Sequence, residues 1–136
     1  MSKISIDFKT GKLKNDTEIV VGIDLGTTNS LIACTIDGRP HIIPIGPNEK
    51  KSMPSAVWFN HEGKAYVGAE AMERMHEAPM NMIYSFKRFM GKSYQELSNT
   101  HSRLSYNVEQ EADTNQIIIP VASQAITAIA LSSFIL

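Results

Sequence analysis

Cysteine is nearly absent: Cys34 is the single thiol in 136 residues, which excludes an intramolecular disulfide framework and a multi-cysteine metal site. Such a chain fits a reducing compartment, and a cytoplasmic address is expected. Charge of one sign is equally scarce. The 13 basic and 14 acidic residues leave a formal net charge of −1, so no global field draws in nucleic acid or an anionic membrane. The N-terminus, Met1-Ser2-Lys3-Ile4-Ser5-Ile6-Asp7-Phe8-Lys9, lacks the apolar core of a secretory signal and contains acid that transit peptides avoid. Paired metal-ligand spacing is missing too, because His41, His61, His76 and His101 fall on unrelated segments, and no structural zinc site is expected. The last twenty residues, Ile117 to Leu136, contain no charge and reach the minimum length of a membrane span. Pro120 divides them, and Ser123, Gln124, Thr127, Ser132 and Ser133 interrupt the remainder, so a buried helix from Val121 is expected instead, and no membrane partner.

The residues present suit one globular domain with a real core, at 43% apolar content. Ile4, Ile6 and Phe8 alternate with polar residues, giving either a short strand ended by Gly11 or an extension. Ile19-Val20-Val21-Gly22-Ile23-Asp24-Leu25 is apolar, β-branched and too short for a helix, the pattern of a strand buried on both faces. Strands at Leu31 to Ile36 and His41 to Ile45, joined at Asp37-Gly38, complete an antiparallel meander. Pro54 to Phe59 and Ala65 to Gly68 make a hairpin across His61-Glu62-Gly63-Lys64. Ala69 to Ala78 reads as a helix stopped by Pro79, and Tyr94 to Asn99 as a shorter one. Leu104 to Val108 and Gln116 to Ile119 flank a turn-rich acidic stretch and form a third hairpin. Trp58 and the methionines are assigned to packing, as is Cys34 in its buried strand.

The chemistry lies in Gly22-Ile23-Asp24-Leu25-Gly26-Thr27-Thr28-Asn29-Ser30. Gly26 permits a tight turn and lets backbone N–H groups approach an anion, in the manner of a phosphate nest. Thr27 and Thr28 add hydroxyl donors. Asp24 closes a strand, where a carboxylate needs compensation; magnesium, which keeps waters and takes one or two carboxylates plus phosphates, is the natural partner. The same residues could form only a polar hairpin in which Asp24 caps its own backbone. Neither a P-loop nor a dinucleotide fingerprint is present, since the loop opens into a strand and those motifs require a helix N-terminus.

The segment Gly22 to Ser30 resembles the first phosphate loop of the 70-kDa heat-shock chaperones, members of the actin-like ATPase superfamily. Pro54-Ser55 before an apolar strand, Tyr66-Val67-Gly68 before a helix, Phe86-Lys87-Arg88-Phe89-Met90-Gly91, and Ile126-Thr127-Ala128-Ile129 resemble later family segments in the same order. The resemblance covers the chain from about Ile19, while the N-terminal extension and Leu31-Ile32-Ala33 are similar to the branch that serves iron-sulfur cluster assembly. It implies an α/β fold, the first lobe of an actin-like (ribonuclease H-like) ATPase, mainly antiparallel strands with packed helices and incomplete, with residues 1–18 an extension and 19–136 the opening part of the nucleotide-binding domain.

Carried over by position, the resemblance implies that Gly26, Thr27, Thr28 and Asn29 contact the phosphates of ATP or ADP. Asp24 then acts on Mg2+ through water, and Lys87 is the catalytic cation near the γ-phosphate. It implies an ATP-dependent chaperone assisting protein folding, whose intact form engages unfolded clients, a J-domain co-chaperone and a nucleotide-exchange factor. The second phosphate loop, the catalytic carboxylates and the adenosine pocket lie outside this sequence, so negligible ATPase activity is expected of the chain alone, together with exposed apolar surface around Val121 to Leu136. The rival readings are a sugar-kinase-type member of the same superfamily and a degenerate, interaction-only fragment.

Overall fold

The computed structural model describes residues 4–6, 13–15, 20–46, 48–98, 104–122 and 124–136. Two short strands, β1 (Ile4–Ile6) and β2 (Leu13–Asn15), pair antiparallel. The first agrees with the alternation of Ile4 and Ile6; Phe8 and Gly11 lie outside the described residues.

Next comes the expected meander of β3 (Val21–Leu25), β4 (Asn29–Ile36) and β5 (Arg39–Ile42). Its second turn is dictated by its residues: Asp37 (φ 49°) and Gly38 (φ 74°) both occupy the left-handed region that two-residue hairpins need and that Asp-Gly tolerates. A short strand, β6 (Met53–Pro54), pairs with β4 on its other side, Asn29 opposite Pro54 and Ser30 opposite Met53. After Ser55 the chain enters β7 (Ala56–Phe59), the centre of a second sheet in the order β8-β7-β9, with β8 at Ala65–Val67 and β9 at Met82–Tyr84. A third sheet, β10 (Glu109–Gln110), β11 (Ile117–Val121) and β12 (Gln124–Thr127), lies toward the C-terminus. The helices are α1 (Ala69–Arg74), α2 (Tyr94–Ser98) and α3 (Ala128–Ile135), with single 3-10 turns at Pro79–Asn81 and Phe86–Phe89.

All four residues of β7 are buried, and they divide by parity. Val57 and Phe59 join the main core with Ile83, Phe86, Phe89, Ile119 and Leu131. Ala56 and Trp58 face a smaller cluster with Ala71 and Met82. That division is the period of two of a strand covered on both faces. Trp58 is the anchor expected of it, its indole N–H donating to the Ala78 carbonyl at 3.1 Å. Helix α3 packs on the Phe86–Phe89 turn, β7 and β11.

Several expectations are corrected. The strand read as buried on both faces is β3, and it is exposed: Val21 retains 45% and Ile23 53% of its accessible surface. Leu25 alone in β3 packs against the core, because β3 runs along one side of its sheet with β4 as its strand neighbour. Cys34, directly opposite Val21 on β4, is therefore half-buried rather than enclosed. The helix expected from Val121 is half strand. The chain turns back from β11 into β12, with Ala122 in the left-handed region at φ 50°, and becomes helical only at Ala128. That helix is capped at its start, the Thr127 side chain accepting from the Ala130 N–H at 3.2 Å. Finally, Val121, Ile126, Leu131 and Ile135 are buried, and exposure near the C-terminus falls on Ile129, Phe134 and Leu136; in the first sheet Val21, Ile23 and Ile36 are exposed on one face and Ile42 on the other. Helix α1 also ends earlier than its composition suggested, at Arg74, and the first arm of the third hairpin is Glu109–Gln110 rather than Leu104 to Val108. Among the described residues no helix is long and apolar enough to cross a membrane.

Candidate functional site

The loop 26–29 connects β3 to β4 and is shaped by steric exclusion at its first residue. A β-carbon on Gly26 would stand 2.2 Å from the Asn29 carbonyl oxygen, so the two backbones approach more closely than any side chain permits. Thr27 is half-buried, while Thr28 and Asn29 are exposed. Asp24, on β3, is exposed as well and lies on the opposite face of the strand from Ile23 and Leu25.

Lys87 is brought to this loop from a distant part of the sequence. Phe86 (2% exposed) and Phe89 (4%) plug the 3-10 turn into the core, and Ser85 enters it in the left-handed conformation at φ 56°. Between the two anchors, Lys87 is half-buried and its ammonium donates to the Leu25 carbonyl, whereas Arg88 is exposed. The adjacent cations thus have different surroundings because the turn is fixed on either side of them. Asp24, Gly26 and Lys87 therefore meet within one short stretch of backbone, the lysine bonding to the residue between the other two.

Two buried serines underlie the loop, and neither carries a role that sequence alone suggests. Ser55 (3% exposed) donates from Oγ to the Gly26 carbonyl at 2.8 Å, and its N–H donates to the Thr28 carbonyl at 2.8 Å. Ser30 (5% exposed) lies 2.8 Å from Ser55, oxygen to oxygen. The available signal was a serine between Pro54 and a four-residue apolar strand, where a buried hydroxyl needs a partner. Beside the loop opens a cavity of about 440 Å³, with Thr27, Thr28 and Ser55 at one side and Met72, Met75 and Met82 at the other. The methionines thus line a cavity as well as a core: Met82 is buried and Met72 exposed.

A family model described as Hsp70 protein matches residues 20–136. The chain belongs to the Hsp70 family. Curated relatives agree: the chaperone protein dnaK3 of Synechocystis sp. is 38% identical over 96 residues, covering 71% of this chain and 12% of that protein. The chaperone protein dnaK of Gracilaria tenuistipitata var. liui is 40% identical over 96 residues (71% of this chain, 15% of that protein), and dnaK1 of Nostoc sp. 33% over 118 residues (86% and 17%). The matched regions thus cover between 12% and 17% of these relatives' length.

Hsp70 proteins are ATP-binding heat-shock chaperones, which makes nucleotide and magnesium the ligands to test against this geometry. The missing β-carbon at Gly26 lets the loop close tightly on the Asn29 backbone, and a tight loop with hydroxyls at Thr27 and Thr28 suits a phosphate approaching backbone N–H groups. Among the described residues no group of three or more His, Cys, Asp or Glu side chains could hold a metal by itself. One exposed carboxylate, Asp24, fits an ion that keeps its waters and takes its other oxygens from phosphates, as magnesium does. The residues present fit both groups.

Proposed function

We propose that residues 19–136 form the opening part of an actin-like, ribonuclease H-like nucleotide-binding domain in an ATP-dependent molecular chaperone that assists protein folding, preceded by an extension over residues 1–18. The observation that carries the site assignment is the bond from the Lys87 ammonium to the Leu25 carbonyl, which joins residues 62 positions apart at the head of the loop. In this reading the N–H groups of Gly26, Thr27, Thr28 and Asn29 and the threonine hydroxyls donate to phosphate oxygens. Lys87 transfers its hydrogen bond from the Leu25 carbonyl to a phosphate oxygen, where a fixed cation offsets charge developing on the transferred group. Asp24 accepts hydrogen bonds from water in the metal's hydration shell. Magnesium, when bound, neutralises phosphate charge and orients the phosphates.

Phosphoryl transfer depends on several groups positioned at once, so one loop and one lysine give this chain negligible ATPase activity. Within the longer architecture of its relatives, the partners proposed are unfolded client polypeptides, a J-domain co-chaperone and a nucleotide-exchange factor, in the cytoplasm. Family membership removes the support for the sugar-kinase reading. The test is a titration of the ¹⁵N-labelled chain with ADP, with and without magnesium. Amide shifts centred on residues 24–29, dependent on magnesium and weakened at least tenfold in Lys87→Met, are expected; no magnesium-dependent response to ADP would leave the interaction-only reading in its place.

A further inference from the structure

We infer that Ser55, backed by Ser30, is a positioning residue that aims the N–H groups of the loop outward, an inference that rests on the phosphate-loop reading and adds a device to it. A serine hydroxyl has one hydrogen, and that of Ser55 is donated to the Gly26 carbonyl. The 2.8 Å contact between the two hydroxyl oxygens is consequently donated by Ser30. The result is a directed relay, Ser30 Oγ–H to Ser55 Oγ–H to the Gly26 carbonyl, in which each bond polarises the next. The backbone N–H of Ser55 holds the Thr28 carbonyl at the same time, so one buried residue grips two carbonyls two positions apart.

Peptide geometry turns that grip into orientation. No peptide among the described residues is cis, and in a trans peptide the N–H of the following residue points opposite to the carbonyl. Drawing the Gly26 and Thr28 carbonyls down onto Ser55 therefore directs the N–H groups of Thr27 and Asn29 away from it, toward the side on which an anion would lie. Neither serine contacts the anion in this arrangement. Their burial, at 3% and 5% exposure, keeps water from competing for the two carbonyls.

Backbone ¹⁵N order parameters and Mg-ADP affinity are measured for the wild-type chain, Ser55→Ala, Ser55→Thr and Ser30→Ala. Ser55→Ala retains the N–H bond to Thr28 and loses the hydroxyl bond to Gly26. Order parameters at residues 26–28 are then expected to fall from about 0.85 toward 0.6, with Mg-ADP binding about tenfold weaker and core signals such as Leu131 unchanged. Ser55→Thr, which restores a hydroxyl, recovers most of both; Ser30→Ala loses about threefold in affinity. A folded Ser55→Ala chain with wild-type order parameters in the loop overturns the inference, and if that variant does not fold, unchanged loop order in Ser30→Ala overturns it. If the wild-type chain does not bind Mg-ADP, the phosphate reading fails, and the relay is then judged on the order parameters alone.

Discussion

Replacing Gly26 by alanine tests the geometry of the loop most directly, because the obstacle is backbone. The new β-carbon would lie 2.2 Å from the Asn29 carbonyl oxygen, 3.4 Å from its carbon and 3.8 Å from its nitrogen. Close carbon–oxygen contacts settle near 3.3 Å at the shortest, so the two strands must separate by about 1 Å. Asn29 cannot swing aside easily: it begins β4, and the next residue, Ser30, is paired with Leu25 on one side and Met53 on the other. Overpacking of this size costs about 1–3 kcal/mol, a fall in Tm of roughly 5–10 °C at ~2 kcal/mol. The same opening pulls N–H donors out of hydrogen-bond range of a phosphate. Each charge-assisted bond lost is worth about 1.5–3 kcal/mol, hence an Mg-ADP affinity lower by roughly tenfold to a hundredfold. Thermal denaturation and calorimetric titration check both numbers, with Gly22→Ala as control, since a β-carbon there meets only the Ala33 carbonyl oxygen at 4.0 Å. A Gly26→Ala chain matching Gly22→Ala in Tm and affinity would refute the close approach.

Two further outcomes are expected. Burial, reinforced by neighbouring Tyr84, raises the Tyr106 phenol well above its ordinary pKa of 10.0, and its hydroxyl donates to the Tyr84 carbonyl. The unfolded chain therefore releases this proton first, so the contribution is complete below pH 10 and is lost above it, at up to about 1.4 kcal/mol per pH unit. Urea denaturation between pH 9 and 11.5 should show that slope in the wild type and a flatter one in Tyr106→Phe; equal slopes would contradict it. Ile23, 53% exposed on β3, should contribute more to self-association than Phe134, 43% exposed and stacked edge-on against Phe59 at 5.7 Å. Light scattering of Ile23→Lys against Phe134→Lys decides, with the larger drop expected for Ile23→Lys.

The parts of the fold legible in the sequence were those with punctuation. Gly26 and Asp37-Gly38 mark the turns of the meander because the chain there adopts conformations or approaches that other residues resist. The helix boundary at Pro79 was overestimated because propensity sets no limit on how much of an Ala- and Met-rich stretch tertiary packing keeps helical. Val121 to Leu136 misled for another reason. Short apolar runs carry no period that separates strand from helix, and the turn is made by Ala122, which gives none of the usual turn signals. Burial of β3 failed as a reading because an apolar run reports an affinity for cover and says nothing of whether cover is supplied. At the site, the residues that would touch a ligand carry recognisable chemistry. Ser30 and Ser55, which support them from below, look like ordinary polar residues until their burial is known.

Ser55 sits one position before β7, the strand whose alternate side chains are gripped by two different cores. The footing of the loop is thus the last link of a rail clamped from above and below, with no slack segment between. Changes at Val57 or Trp58 would then register at the loop between β3 and β4, and a survey of variants for altered binding should begin inside the core rather than around the rim of the loop.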